Sequence, residues 1–122
     1  MRGKKIVLDL EFIPYRRKQE PYCVHEIIEI GAVALDADNE IYDEFQMYVK
    51  PQYGTVPPFV TAITGITNEM LVGQVSFSEA MQAFEAWLPQ EDSYRFYTWS
   101  GSDQHVFQAE AEWKERPLLG NF

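Results

Sequence analysis

The sequence predicts an α/β domain: a mixed sheet of three antiparallel strands in a meander plus one parallel strand, with helices packed on it. Three observations carry this. Residues 25 to 35 and 41 to 50 read as strands joined by the short turn Asp36-Ala37-Asp38-Asn39-Glu40, and so short a connection closes only an antiparallel hairpin. Residues 77 to 88 repeat apolar side chains at helical spacing. A further strand, 94 to 99, follows that helix, and a crossover through a helix returns parallel.

The first strand is predicted over residues 4 to 12. Its centre, Leu8-Asp9-Leu10-Glu11-Phe12, places Ile6, Leu8, Leu10 and Phe12 on one face and Val7, Asp9 and Glu11 on the other. Pro14 is expected to end it, and residues 13 to 24 to form a polar, mobile loop, with Pro21 opposing a helix, placed to close over a substrate. Residues 25 to 35 are apolar and β-branched, as in a strand buried on both faces. The third strand, 41 to 50, offers Tyr42, Phe45, Tyr48 and Val49 for packing and stops at Pro51. Pro58 suits the start of a short helix over 59 to 64, and Gly65 its left-handed end. Thr67 or Asn68 caps a second short helix to about Leu71, ended by Gly73. Ser76-Phe77-Ser78-Glu79 is a capping box, after which Phe77, Ala80, Met81, Phe84, Trp87 and Leu88 form a core stripe. Pro89 and the acidic turn after it end that helix. Ser100-Gly101-Ser102-Asp103 turns into a last helix, about 103 to 114, whose buried side holds Val106, Phe107 and Trp113 and which Pro117 ends.

At 122 residues the chain is expected to be one domain with room for a core. A composition 46% hydrophobic and 15% aromatic excludes a disordered tract. A single cysteine, Cys23, excludes an internal disulfide and fits a reducing cytoplasm. The basic start resembles the head of a signal peptide, but Asp9 and Glu11 interrupt the apolar run behind it, and no stretch approaches membrane-spanning length. The net charge of −9 argues against gripping duplex phosphates alone. It is uneven: residues 1 to 18 balance at +4 and the rest at −13. The basic residues beside the first strand suit a phosphate strand; an ordinary solvated surface accounts for Arg16-Arg17-Lys18 as well.

Two carboxylates side by side on a strand repel unless a cation sits between them. A divalent metal meets that need, whereas on a sheet edge both acids would simply be solvated. Asp103 is the third acid. Near a helix start it can cap the helix, but in a parallel crossover it also emerges beside the pair, and three converging carboxylates suit Mg²⁺ or Mn²⁺.

Leu8-Asp9-Leu10-Glu11-Phe12, Glu26-Ile27-Ile28-Glu29-Ile30-Gly31-Ala32-Val33, Ile63-Thr64-Gly65-Ile66-Thr67 and Trp99-Ser100-Gly101-Ser102-Asp103, in this order and spacing, resemble the DEDD 3′–5′ exonucleases. That superfamily includes proofreading domains, RNase T and oligoribonuclease, on an RNase H-like fold. The stretch from Phe45 to Trp87 is most similar to its small-RNA and histone-mRNA 3′-end subgroup. The resemblance implies a nuclease acting on single-stranded RNA or DNA 3′ ends with two divalent cations. One cation helps to generate hydroxide and the other stabilises the leaving 3′-oxygen. It implies that Asp9 bridges the two, that Glu11 holds the nucleophile-side ion and that Asp103 holds the second. It places Phe12, Thr64, Gly65 and Ile66 against the terminal nucleotide, with Ile66 or Ile63 wedged at a base. A helix C-cap with an apolar staple explains Thr64 to Ile66 equally well.

The family's third motif, a histidine or tyrosine followed by an aspartate, does not occur before Phe122, and neither His25 nor His105 replaces it by position. The resemblance therefore implies the N-terminal two-thirds of the family domain, C-terminally incomplete, with little or no activity of its own. It also implies a fourth strand left as an open, apolar sheet edge through which two copies could pair as a homodimer. Two other readings stay open: a non-catalytic RNase H-like binding or regulatory module, and an unrelated α/β domain whose acids are solvated. Asp9 and Asp103 lying more than about 10 Å apart would favour the last.

Overall fold

The computed structural model describes residues 4–16, 23–89, 94–98 and 101–114. Four strands, β1 (Lys4–Arg16), β2 (Cys23–Leu35), β3 (Ile41–Tyr48) and β4 (Tyr94–Thr98), form one sheet in the order β3-β2-β1-β4. The β1–β2 and β2–β3 pairs are antiparallel and the β1–β4 pair is parallel, as the crossover requires. The helices are α1 (Pro58–Thr64), α2 (Asn68–Leu71), α3 (Phe77–Trp87) and α4 (Gly101–Trp113). None of the described helices is long and apolar enough to cross a membrane.

The principal core lies between the sheet and α3 and α4. Ile6, Leu8 and Leu10 of β1 and Ile27, Ile30, Ala32 and Ala34 of β2 meet Phe77, Ala80, Met81 and Phe84 of α3 and Val106, Phe107 and Ala111 of α4. Phe84 is the hub, with Phe45, Trp87, Phe107 and Phe96 within 5.4–6.4 Å of its ring. The capping box forms as the sequence predicts: Glu79 N–H donates to Ser76 Oγ, and Ser76 N–H to the Glu79 carboxylate. A second cluster joins Ile13, on the other side of β1, to Ile28, Val56, Val60, Ile66 and Leu71, so α1 and α2 cover that end of the sheet.

Several boundaries differ from expectation. β1 does not stop at Phe12; it runs through Pro14, which stands opposite His25, to Arg16. β4 pairs only with Lys4–Leu8, so beyond Leu8 one flank of β1 needs no ladder donor and a proline is tolerated. Accordingly, residues 13 to 16 and 23 to 24, expected in a loop, are strand. β2 carries one extra residue, Ile28, because Glu11 faces Glu29 while Phe12 faces Ile27. β3 ends at Tyr48, and Val49 makes an isolated parallel bridge to Val75. α4 begins at Gly101, two residues before the expected start. The expectations for Arg17, Lys18, Pro21, the turn after Pro89, Trp99, Ser100 and Pro117 lie outside the described residues.

Candidate active site

Asp9 and Glu11 follow from strand geometry: two positions apart on β1, they share a face opposite Leu8 and Leu10. Asp9 is exposed and Glu11 half-buried. Just past the end of the β1–β4 ladder, the Leu10 N–H faces the Asp103 carboxylate and favours its charge. Asp103, in the first turn of α4, is only 7% exposed.

The electrostatics report the same convergence. Burial raises the Glu11 carboxyl, and the charges of Asp9, Glu29 and Asp103 raise it further. Burial also raises Asp103, Asp9 adds to the shift, and the Leu10 N–H opposes it. The structure therefore brings Asp9, Glu11 and Asp103 together, and among the described residues none of them has a Lys or Arg partner. Sequence reading missed a fourth carboxylate at this face. Glu29 lies directly across the ladder from Glu11 and accepts a 2.8 Å bond from Gln46 Nε2. Only the β1–β2 register reveals it.

Among the described residues no three His, Cys, Asp or Glu gather closely enough to hold one ion by themselves. The donor set is all oxygen, which suits Mg²⁺ or Mn²⁺, and Mg²⁺ in particular needs only one or two carboxylates, with waters and substrate phosphates completing its shell. The residues present fit such ions in the chemistry of their donors.

The residues expected against a terminal nucleotide divide. Gly65 has φ 79°, caps α1 through its N–H to Thr61 O, and has open space where a side chain would stand. Backbone approach there is unobstructed. Thr64 is half-buried; its hydroxyl donates to Val60 O and accepts from Ile66 N–H. Ile66 is not available as a wedge: it is 2% exposed inside the second core cluster, whereas Ile63, 80% exposed, is free to contact a base. Phe12 is half-buried and meets the His25 ring edge-on at 5.2 Å. His25 is lowered chiefly by burial and further by His105. The fold thus brings the two histidines near one another, although neither lies near the other in sequence.

A buried polar assembly at the far end of α4 was not legible in the sequence. Lys114 Nζ donates to Glu110 Oε2 at 2.6 Å and to Glu26 Oε2 at 2.8 Å, and both glutamates are fully buried. Burial pushes Glu110 up to about 7 despite Lys114 and the Ile27 N–H, which favour its charge. Between its ordinary 4.5 and about 7, the folded chain holds a proton that the unfolded chain has lost. Stability should therefore fall as pH rises through that window, by up to ~3 kcal/mol, and level off above it. The raised Glu11 and Asp103 act in the same direction. Urea unfolding across this pH range checks the trend, and Glu110→Gln should flatten most of it.

This arrangement is the RNase H-like fold of 3′-exonucleases. The crystal structure of a full-length 3′-exonuclease superposes with a TM-score of 0.74 over 93% of this chain and 40% of that one, at 24% identity. A 3′-exonuclease solved in 3′-end-specific recognition of a histone mRNA stem-loop gives 0.67 over 90% and 42%, at 23% identity. The RNase T family model, described as exonuclease, matches residues 6–112, and the chain belongs to that family. Its relatives include the human 3′-5′ exoribonuclease 1, 33% identical over 66% of this chain and 24% of that protein. DNA polymerase III subunit epsilon of Pasteurella multocida is 37% identical over 66% and 32%. The chain spans about a third or less of the length of these curated relatives.

Proposed function

We propose that this chain is a divalent-metal-dependent 3′–5′ exonuclease domain acting on phosphodiester bonds at single-stranded RNA or DNA ends. The observation that carries the reading is that the charges of Asp9, Glu11 and Asp103 act on one another while, among the described residues, none of the three pairs with a Lys or Arg. Asp9, Glu11 and Asp103 are the groups that would hold Mg²⁺ or Mn²⁺. When bound, these ions supply neutralisation of the scissile phosphate and activation of water. The chain's own part is to present the acids from a strand paired on both sides as far as Leu8 and to leave the Gly65 backbone and Ile63 open to a terminal nucleotide. Phe12 and Thr64, both half-buried, belong to the same reading. A cytoplasmic setting and pairing of two copies through the β4 edge belong to this reading as well; β4 is a terminal strand of the described sheet.

The histidine-and-aspartate motif that the family resemblance calls for is not among these 122 residues. Trimming by them alone is therefore expected to be weak or absent, and metal uptake is the primary test. Calorimetry should detect Mn²⁺ binding, and any trimming of a single strand labelled at its 3′ end should require Mn²⁺ or Mg²⁺ and stop with a chelator. A folded chain that takes up neither ion would overturn the proposal. Oligonucleotide binding without cation uptake would identify a non-catalytic module instead.

A further inference from the structure

α4 holds Asp103 in its first turn and the Glu110–Lys114 pair at its other end. Glu110 Oε1 accepts the Ile27 N–H of β2 at 2.6 Å. Lys114 reaches Glu26, also of β2, and Glu26 in turn accepts the N–H groups of Gln52, Tyr53 and Gly54 at 2.8, 3.2 and 2.7 Å. Gly54 is pressed so closely here that a Cβ would stand 3.0 Å from Ile13 Cδ1 and 3.2 Å from Glu26 Oε1. The Phe77 and Trp113 rings, each just over 5 Å from Lys114 Nζ, fix the lysine itself. Tyr15 stacks on Tyr53, and Tyr53 meets Trp113 at a tilt, both at 5.7 Å.

We propose that Lys114, with Glu26 and Glu110, is a positioning clamp that sets where α4 stands along β1 and β2, and so where Asp103 meets Asp9 and Glu11. The inference rests on those three acids being the metal site. Apolar burial of Val106, Phe107 and Ala111 is non-directional, so it does not by itself specify where along β1 and β2 the helix stands. One residue of helix is a rise of ~1.5 Å, while metal–ligand distances tolerate about ±0.2 Å. A small slip of α4 therefore matters at Asp103, and directional bonds to the Ile27 amide and Glu26 prevent it. The grip falls where Ile27 faces Phe12, one residue beyond Glu11. A buried Glu–Lys–Glu set is a poor source of stability, since apolar residues of the same volume do as well or better. Geometry gives it a purpose that packing does not.

The test is Mn²⁺ calorimetry on the whole chain, well below its unfolding temperature, with circular dichroism confirming the fold. Lys114→Met should bind Mn²⁺ about tenfold more weakly, the scale of a lost outer-shell support, and Lys114→Arg should stay within about threefold of the parent chain. A purely structural role lowers the melting temperature of Lys114→Met and leaves its Mn²⁺ affinity alone; that result overturns the clamp. Should Lys114→Met not fold, Glu110→Gln takes its place, keeping an acceptor for Ile27 but losing the charge. It should bind Mn²⁺ several-fold more weakly, and unchanged affinity overturns the clamp. Mn²⁺ binding lost in Asp9→Asn but unaltered in folded Lys114→Met sinks the clamp alone. Absence of Mn²⁺ binding by the parent chain sinks the metal site and the clamp together.

Discussion

The Asp9→Asn chain should lose Mn²⁺ binding by about a hundredfold or more if Asp9 is the ligand proposed above, because losing a direct ligand exceeds the ten- to hundredfold cost of losing an outer-shell partner. Asp9 is the acid whose charge acts on both Glu11 and Asp103. Replacing it with the isosteric amide removes the group common to both interactions without changing the packing. The same substitution relieves repulsion in the metal-free chain, so its melting temperature should be no lower than the parent's. The two readouts separate a functional acid from a structural one. If Asp9→Asn binds Mn²⁺ normally and melts lower, the carboxylate is holding the fold together, and the nuclease reading fails at its first residue.

Lys114→Ala should destabilise the chain by about 3–5 kcal/mol near neutral pH, the usual cost of removing one partner from a buried ion pair. Lys114 is the cation between two fully buried glutamates, at 2.6 and 2.8 Å. Without it Glu110 and Glu26 lose the cation that stands between them. Glu110 has an escape: it already titrates at about 7 in the intact assembly and can take up a proton. Glu26 keeps its three backbone donors from Gln52, Tyr53 and Gly54. The penalty should therefore shrink as pH falls below about 7, which unfolding in urea at several pH values would show. A loss under ~1 kcal/mol at neutral pH, as for a surface pair, would mean that water reaches these groups.

The parts of this molecule legible in the sequence are those set by neighbours along the chain. Alternation places Asp9 and Glu11 on one face, the Ser76–Glu79 box starts α3, and the short turn forces the β2–β3 hairpin. Asp103 needed one further step, the parallel crossover, and the β1–β4 pairing bears that step out. What escaped depends on contacts between distant segments. Pro14 looked like a terminator because the sequence does not say that β4 stops at Leu8. Ile66 and Ile63 are the same residue type three apart, and only the packing of α1 against Ile13 and Ile28 makes one core and the other surface. Glu26, Glu110 and Lys114 carry no local pattern beyond an i, i+4 pair; their meeting joins positions 83 to 88 residues apart.

The narrowing of the sheet beyond Leu8 has a mechanical consequence. Asp9 and Glu11 ride on a strand that β2 alone of the described strands holds at that point, whereas Asp103 arrives on a separate rod, α4, bonded to β2 near its other end. Adjusting the reactive centre is then a matter of the rod's travel alone. Substitutions along α4 can then shift Asp103 while β1 stays in place.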